Sequence, residues 1–245
     1  MKEVEDQSQG RKLLTVVERI IADTDSLIAL SQEHLRRAQQ QKLDDELATI
    51  EAAALEVVRH FSNRTAITGG LAAAPALIPG AGTLLAAAGG TLADMGMVLK
   101  YEVEMALVLS HLYGFDITQD KERQLAFLMA SVSTYNAKSG RNFFVDVAHA
   151  ESIAIWKYAP REVSKMLVSV FTKIALMQLS KSLLRALPLV GIAVGSSMNK
   201  VLTGRVGERC MQDLKVRRQF AKEQAPAEEV VEAKVRKPKK KKKAS

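Results

Sequence analysis

The sequence has one cysteine, Cys210, in 245 residues. An intrachain disulfide is therefore excluded, and a lone thiol offers no zinc constellation. That usage suits a reducing, cytosol-facing location. Aromatic residues are also scarce, at 5%. Alternation of apolar and polar residues is hard to find, and the abundance of Ala, Leu, Glu, Lys and Gln points to helices. Residues 1–11 are polar and acidic with no apolar core, so no secretory signal is expected there.

Catalytic signatures are missing too. His34, His60, His111 and His149 have no metalloprotease spacing, and no Gly-x-Ser-x-Gly elbow occurs. Gly80-Ala81-Gly82 lacks the remaining glycine of a dinucleotide fingerprint, and no Walker lysine follows a Gly-x-x-x-x-Gly. Ser197-Met198-Asn199-Lys200 matches Ser-x-x-Lys without its companion motifs. His111 and Glu104 can share a helix face, but two ligands do not make a metal site. No catalytic residue, cofactor or metal ligand is assigned.

A net charge of +8 is present, and its position matters more than its size. Eight of the 35 basic residues fall between Lys234 and Lys243, among them Lys237, Lys239, Lys240, Lys241, Lys242 and Lys243, leaving 27 basic against 27 acidic residues elsewhere. A neutral body argues against a nucleic-acid-binding fold with a cationic face. Residues 222–245 read as a disordered lysine-rich tail, because they offer too little apolar area to offset chain entropy. Three uses suit it: solubility, attraction to anionic lipid, and non-specific contact with nucleic acid.

The body reads as all-α, a single bundle of six to eight helices over residues 11–221, preceded by a flexible stretch, 1–10. Apolar spacing from Leu13 to about Gln41 predicts one long amphipathic helix. Asp44-Asp45-Glu46 supplies acids at the start of a second, ending near Asn63. After Asp94 a helix runs to Leu112, with Lys100 and Glu104 on its wetter side, and Tyr113-Gly114-Phe115-Asp116 stops it. Further helices are predicted from about Lys121, over 144–156, from Glu162 to about Ala186, and from Asn199 to Phe220.

Two segments stand apart because they lack charge. Thr65 to Ala93 is uncharged for 29 positions and contains Pro75 and Pro79; Leu187 to Met198 is a shorter counterpart containing Pro188. The first is long enough to count as a span, but its prolines and glycines predict a hydrophobic hairpin over 65–99 rather than one straight helix. In the second element, 187–199, Gly191 and Gly195 at i and i+4 give a helix a smooth side, as do Gly82, Ala86 and Gly90 in the first. Close packing in a soluble core and insertion into lipid both remain open.

These features together resemble the EcsC family of bacteria. The likeness rests on the Gly/Ala-rich region with Asp94 at its exit, the Tyr113-Gly114-Phe115-Asp116 corner followed by Glu122-Arg123, and Pro188-x-x-Gly191-x-x-x-Gly195-x-x-x-Asn199. It covers roughly Leu47 to Phe220. A more distant likeness is to a helical domain appended to some bacterial GTPases. The family is named for a protein encoded beside a peptide-exporting ABC transporter, and its activity is not established. The function favoured is that of a membrane-associated, non-enzymatic accessory or scaffold protein resembling that family, peripheral to or partly inserted in the inner face of the membrane; a link to membrane transport rests on genomic analogy alone. Anionic lipid or a membrane protein would be its partner.

Asp94 invites a partner or a raised pKa after so long an uncharged run. For Asp116, Glu122 and Arg123 the residue types suit a helix cap and an arginine tie, or a partner-binding corner. Two alternatives stay open: a hydrolase-like enzyme gathering Asp94, Tyr113 and Asp116, and a soluble interaction module whose tail meets nucleic acid.

Overall fold

The computed structural model describes residues 2–68, 90–143, 155–182 and 191–235. The described residues form α1 (Lys2–Ile20), α2 (Thr24–Gln39), α3 (Glu46–Thr68), α4 (Gly90–Leu112), α5 (Asp120–Ser139), a short 3-10 turn (Ile155–Lys157), α6 (Pro160–Ser182) and α7 (Gly191–Val235), with no strand among them. One buried apolar cluster draws on all seven helices, from Leu13 and Val17 through Phe61, Leu107, Leu128 and Phe171 to Leu214. The protein is an all-α bundle.

α4 is its axis, packing against each of the other six helices. That explains its weak amphipathicity, since a helix covered on every side has no polar face to present. Every residue from Glu102 to Ser110 is buried. Lys100 and Glu104 pair at i,i+4, but both are buried, so the expected wetter side does not exist.

The single helix expected over 13–41 is two. Residues 21–23 break it, and Asp23 caps α2 by accepting from the Ser26 amide at 2.9 Å and the Ser26 hydroxyl at 2.7 Å. Apolar spacing continues across the break because both helices bury their apolar faces in the same core. The break also frees the Ala22 amide, which donates to Glu104 Oε1 at 2.7 Å.

Helix limits differ elsewhere as well. Residues 2–10, expected to be flexible, form the first half of α1. Gly10 lies against α6 so closely that an added Cβ would stand 2.6 Å from the Thr172 Cα. α3 runs five residues past Asn63, and α7 starts eight residues before Asn199 and continues fifteen beyond Phe220. The helix expected over 144–156 lies outside the described residues apart from the 3-10 turn. The faces of Gly82 and Ala86 lie outside them too. The described close approach in α7 is at Gly207, where a Cβ would stand 2.6 Å from Val58 Cγ2 and 3.1 Å from Met105 Sδ.

Candidate functional site

The direction of each helix follows from its cross-contacts. Glu102 of α4 meets Thr134 of α5 and Thr203 of α7, while Lys138 reaches back to Met95, so α4 and α5 are antiparallel. α7 lies parallel to α4 and antiparallel to α3: Gly204 faces Ser62, Gly207 faces Val58, and Arg218 reaches Glu46. α6 starts beside the start of α5, through Ser164 and Gln124. The helix ends at Thr68, Gly90, Ser182 and Gly191 therefore share one end of the bundle. The Tyr113 corner sits at the other.

At the corner, α4 is closed by a Schellman cap. The Phe115 amide donates to the Ser110 carbonyl and the Gly114 amide to the His111 carbonyl, each at 3.0 Å, with Gly114 at φ +92°. That left-handed geometry favours glycine. Asp116 accepts from the Thr118 hydroxyl at 2.6 Å, the Thr118 amide at 3.0 Å and Gln119 Nε2 at 3.0 Å, and these hydrogen bonds, the Thr118 hydroxyl foremost, hold its carboxyl below the ordinary value. Arg217 stacks over the Phe115 ring at 3.8 Å and donates to Glu122 at 2.7 Å. Arg123 donates to Thr24 Oγ1 at the start of α2. Tyr113 is buried, which pushes its phenol up to about 12, with Glu51 acting in the same direction. Each of these contacts joins one helix to another or closes its end.

The mid-section of α4 holds two carboxylates that sequence reading did not select. Glu104 Oε1 accepts from Lys100 Nζ at 2.6 Å as well as from the Ala22 amide. Glu102 is fully buried, and its oxygens lie 2.6 Å from Thr134 Oγ1 and 3.1 Å from Thr203 Oγ1. Burial raises its pKa, against the opposing effects of Lys138 and the two hydroxyls. Thr134 Oγ1 also lies 2.8 Å from the Ala130 carbonyl. A hydroxyl has one proton, so a protonated Glu102 donating to Thr134 would satisfy the whole chain of contacts. The available signal was three ionisable residues spaced by two, Lys100, Glu102 and Glu104, flanked on both sides by apolar runs of the same helix.

The opposite end has another character. Its exposed side chains include Ile67 at 62%, Met198 at 53% and Val201 at 53%, where the end of α3 meets the start of α7. Arg64 and Lys200 are exposed on the same two helix segments, and Arg141, just past the end of α5, is exposed at the same end of the bundle. Between these helix ends run the uncharged stretch 69–89 and the segment 183–190, which contains Pro188 and whose sole charge is Arg185. Asp94, Gly191 and Gly195 lie on helices at this end, and Asn199 is half-buried there.

The residues singled out from sequence thus divide between the two ends. Asp94 and Tyr113 are 19 residues apart along α4, about 28 Å at 1.5 Å per residue. They do not converge with Asp116, and the hydrolase-like constellation is not assembled. Among the described residues no group of three or more His, Cys, Asp and Glu side chains could hold a metal ion. Cys210 is fully buried, which holds its thiol far above the ordinary range. Pro188 and the lysines from Lys237 to Lys243 lie outside the described residues.

None of the described helices is long and apolar enough to cross a membrane. No curated protein and no solved structure matches the chain. A family model does match, over residues 7–218, which takes in every helix from α1 through most of α7. The chain belongs to the EcsC protein family.

Proposed function

We propose that this protein acts at a membrane surface as a non-enzymatic accessory or scaffold, seated on the cytoplasmic leaflet by the apolar end of its bundle. The observation that carries this reading is the coincidence at one end of Ile67, Met198 and Val201, all exposed, with the attachment points of the uncharged segments. Exposed large apolar groups gathered in one place mark an interaction surface. The basic fringe of Arg64, Arg141 and Lys200 supports anionic lipid as the partner, since apolar insertion and cationic attraction together characterise interfacial binding. A membrane protein embedded in that leaflet would meet the same surface.

The lysine tail belongs to a separate contact. From Gly191 to Val235 the axis of α7 extends about 68 Å. Residues 236–245, even fully extended, reach at most about 36 Å. Lys237 to Lys243 therefore cannot return to the apolar end while α7 is intact, and they would meet an anionic partner on the far side of the bundle.

Flotation with vesicles of defined charge tests the reading. The wild-type chain is expected to float with anionic vesicles, and the triple variant Ile67→Glu, Met198→Glu, Val201→Glu to stay behind with its helicity and melting unchanged. Equal flotation of both would overturn the assignment of the apolar end. Recovery of the wild type in the soluble fraction, with vesicles of every composition, would sink the membrane reading altogether.

A further inference from the structure

A groove of about 680 Å³ runs between α1 and α6, and neither the corner residues nor Glu102 line it. Its volume falls within the range of roughly 300–1,000 Å³ usual for small-molecule sites. On the α6 side, Arg161, Lys165, Ser169 and Lys173 line it at successive intervals of four residues, forming one ridge of the helix. From α1 comes Arg11, with Asp6 as the one acid of the lining. None of Arg11, Arg161, Lys165 and Lys173 takes part in an ion pair among the described residues. Arg37, Lys100, Arg209, Lys215, Arg217, Arg218 and Lys222 have carboxylate partners, while other cations such as Arg36, Arg59 and Lys200 are unpaired singly among the described residues; what the groove adds is four such cations lining one concave site.

The register of the two helices separates the acid from most of the cations. Gly10 lies against Thr172, and α1 runs antiparallel to α6, since Glu18 shares a smaller cavity with Leu167 and Gln124. Asp6 therefore falls toward Lys173 and Leu176. Arg11, one residue past the Gly10–Thr172 contact, falls toward Ser169, and among the described residues no acid lines the groove from there to Arg161. Among the described residues, four cations and one carboxylate leave a net positive lining, with no acid lining the Arg161 end. Guanidinium and ammonium groups along a groove whose acid lies at one end are the donor types of a phosphate site, and a dianionic monoester uses three cations better than a singly charged diester does.

We propose that this groove binds a phosphate monoester through Arg11, Arg161 and Lys165, borne either by a small soluble ester or by the headgroup of a lipid such as phosphatidic acid. The site is distinct from the apolar end and does not depend on it.

Two measurements on the full-length chain separate the sources. Calorimetric titration with glycerol phosphate reads the soluble ester, and flotation with phosphatidic acid vesicles against phosphatidylglycerol vesicles of equal surface charge reads the headgroup. The double variant Arg161→Gln, Lys165→Gln is compared with Arg36→Gln, Lys121→Gln, which removes the same charge from exposed positions away from the groove and leaves the lysine tail untouched. A soluble ligand predicts saturable glycerol phosphate binding that weakens tenfold or more in the groove variant alone. A lipid ligand predicts a preference for phosphatidic acid that the groove variant alone loses. Absence of both responses, or equal loss in the two double variants, overturns the proposal. The triple variant of the apolar end is expected to keep glycerol phosphate binding, so failure of the membrane reading and failure of this one are distinguishable.

Discussion

The two ends of the bundle are built from the same helices by different means. At the corner end, Glu46, Glu51 and Glu122 engage Arg218 and Lys222, Lys215, and Arg217 respectively, while Gly114 and Asp116 close backbone groups locally. At the opposite end, Ile67, Met198 and Val201 stand exposed where the uncharged segments attach. Charge pairs and caps let an end of a helical bundle face water without cost to its backbone. Exposed apolar groups have no such compensation in water and gain free energy only when something covers them. The corner end also exposes Leu43 and Val216, but among ion pairs and caps; the other end, where Ile67, Met198 and Val201 stand at the attachment points of uncharged segments, is the one chemically complementary to an apolar or interfacial partner.

The sharpest way to break the comparison is to make the apolar end resemble the corner. Covering a large aliphatic side chain contributes on the order of 1.5–3 kcal/mol. The triple glutamate variant at Ile67, Met198 and Val201 should therefore weaken vesicle partitioning by at least about a hundredfold in flotation, with little change in the urea midpoint. Destabilisation without loss of flotation would mean that these side chains belong to the core.

The converse change is expected to alter stability and leave flotation alone. Glu122→Ala strands Arg217, whose side chain is only 11% exposed, and should cost about 2 kcal/mol or more in urea unfolding. Gly114→Ala meets no neighbouring atom within 4 Å, so its cost is conformational, about 1–2 kcal/mol for holding a Cβ at positive φ. Gly114→Asn should recover part of it. A loss of vesicle binding in any of these variants would break the division between the ends.

Glu102, between the ends, should give the smallest effect. Its carboxyl has a folded pKa above the ordinary value of 4.5 because burial disfavours the charge. The folded state thus holds the proton more tightly than the unfolded state. Its contribution to stability is full below the unfolded pKa and is lost as pH rises through the folded one. Glu102→Gln should flatten unfolding free energy against pH over that window while retaining the fold. An unchanged slope would mean that Lys138 and the two threonines hold the carboxylate ionised.

Sequence reading reached different depths in different places. The corner was legible because each of its signals is local: glycine after an apolar periodic run, an aspartate two residues from a threonine, acids at the next helix start. The break at 21–23 was hidden because apolar spacing continued across it, although Asp23 with Ser26 carried a capping signal. Lys100 and Glu104 were correctly spaced to pair, yet their burial depended on six neighbouring helices that one helix's periodicity cannot reveal. Glu102 escaped selection because its partners, Thr134 and Thr203, lie 32 and 101 residues away. The α1/α6 groove joins residues 150 or more positions apart, and no spacing rule reaches that far.

The amino-acid sequence by itself determined the helical class, the capped corner and the two segments without charge. These follow from backbone hydrogen bonds three to five residues long, from the φ preference of glycine, and from composition. Tertiary structure alone decided that both uncharged segments attach at the same end, that α7 runs out past the other, and that Arg11 of α1 joins Arg161, Lys165 and Lys173 of α6 in one groove. Helix direction and neighbour are set by which apolar faces pack around α4, and burial is a property of the assembled bundle rather than of any one stretch of chain.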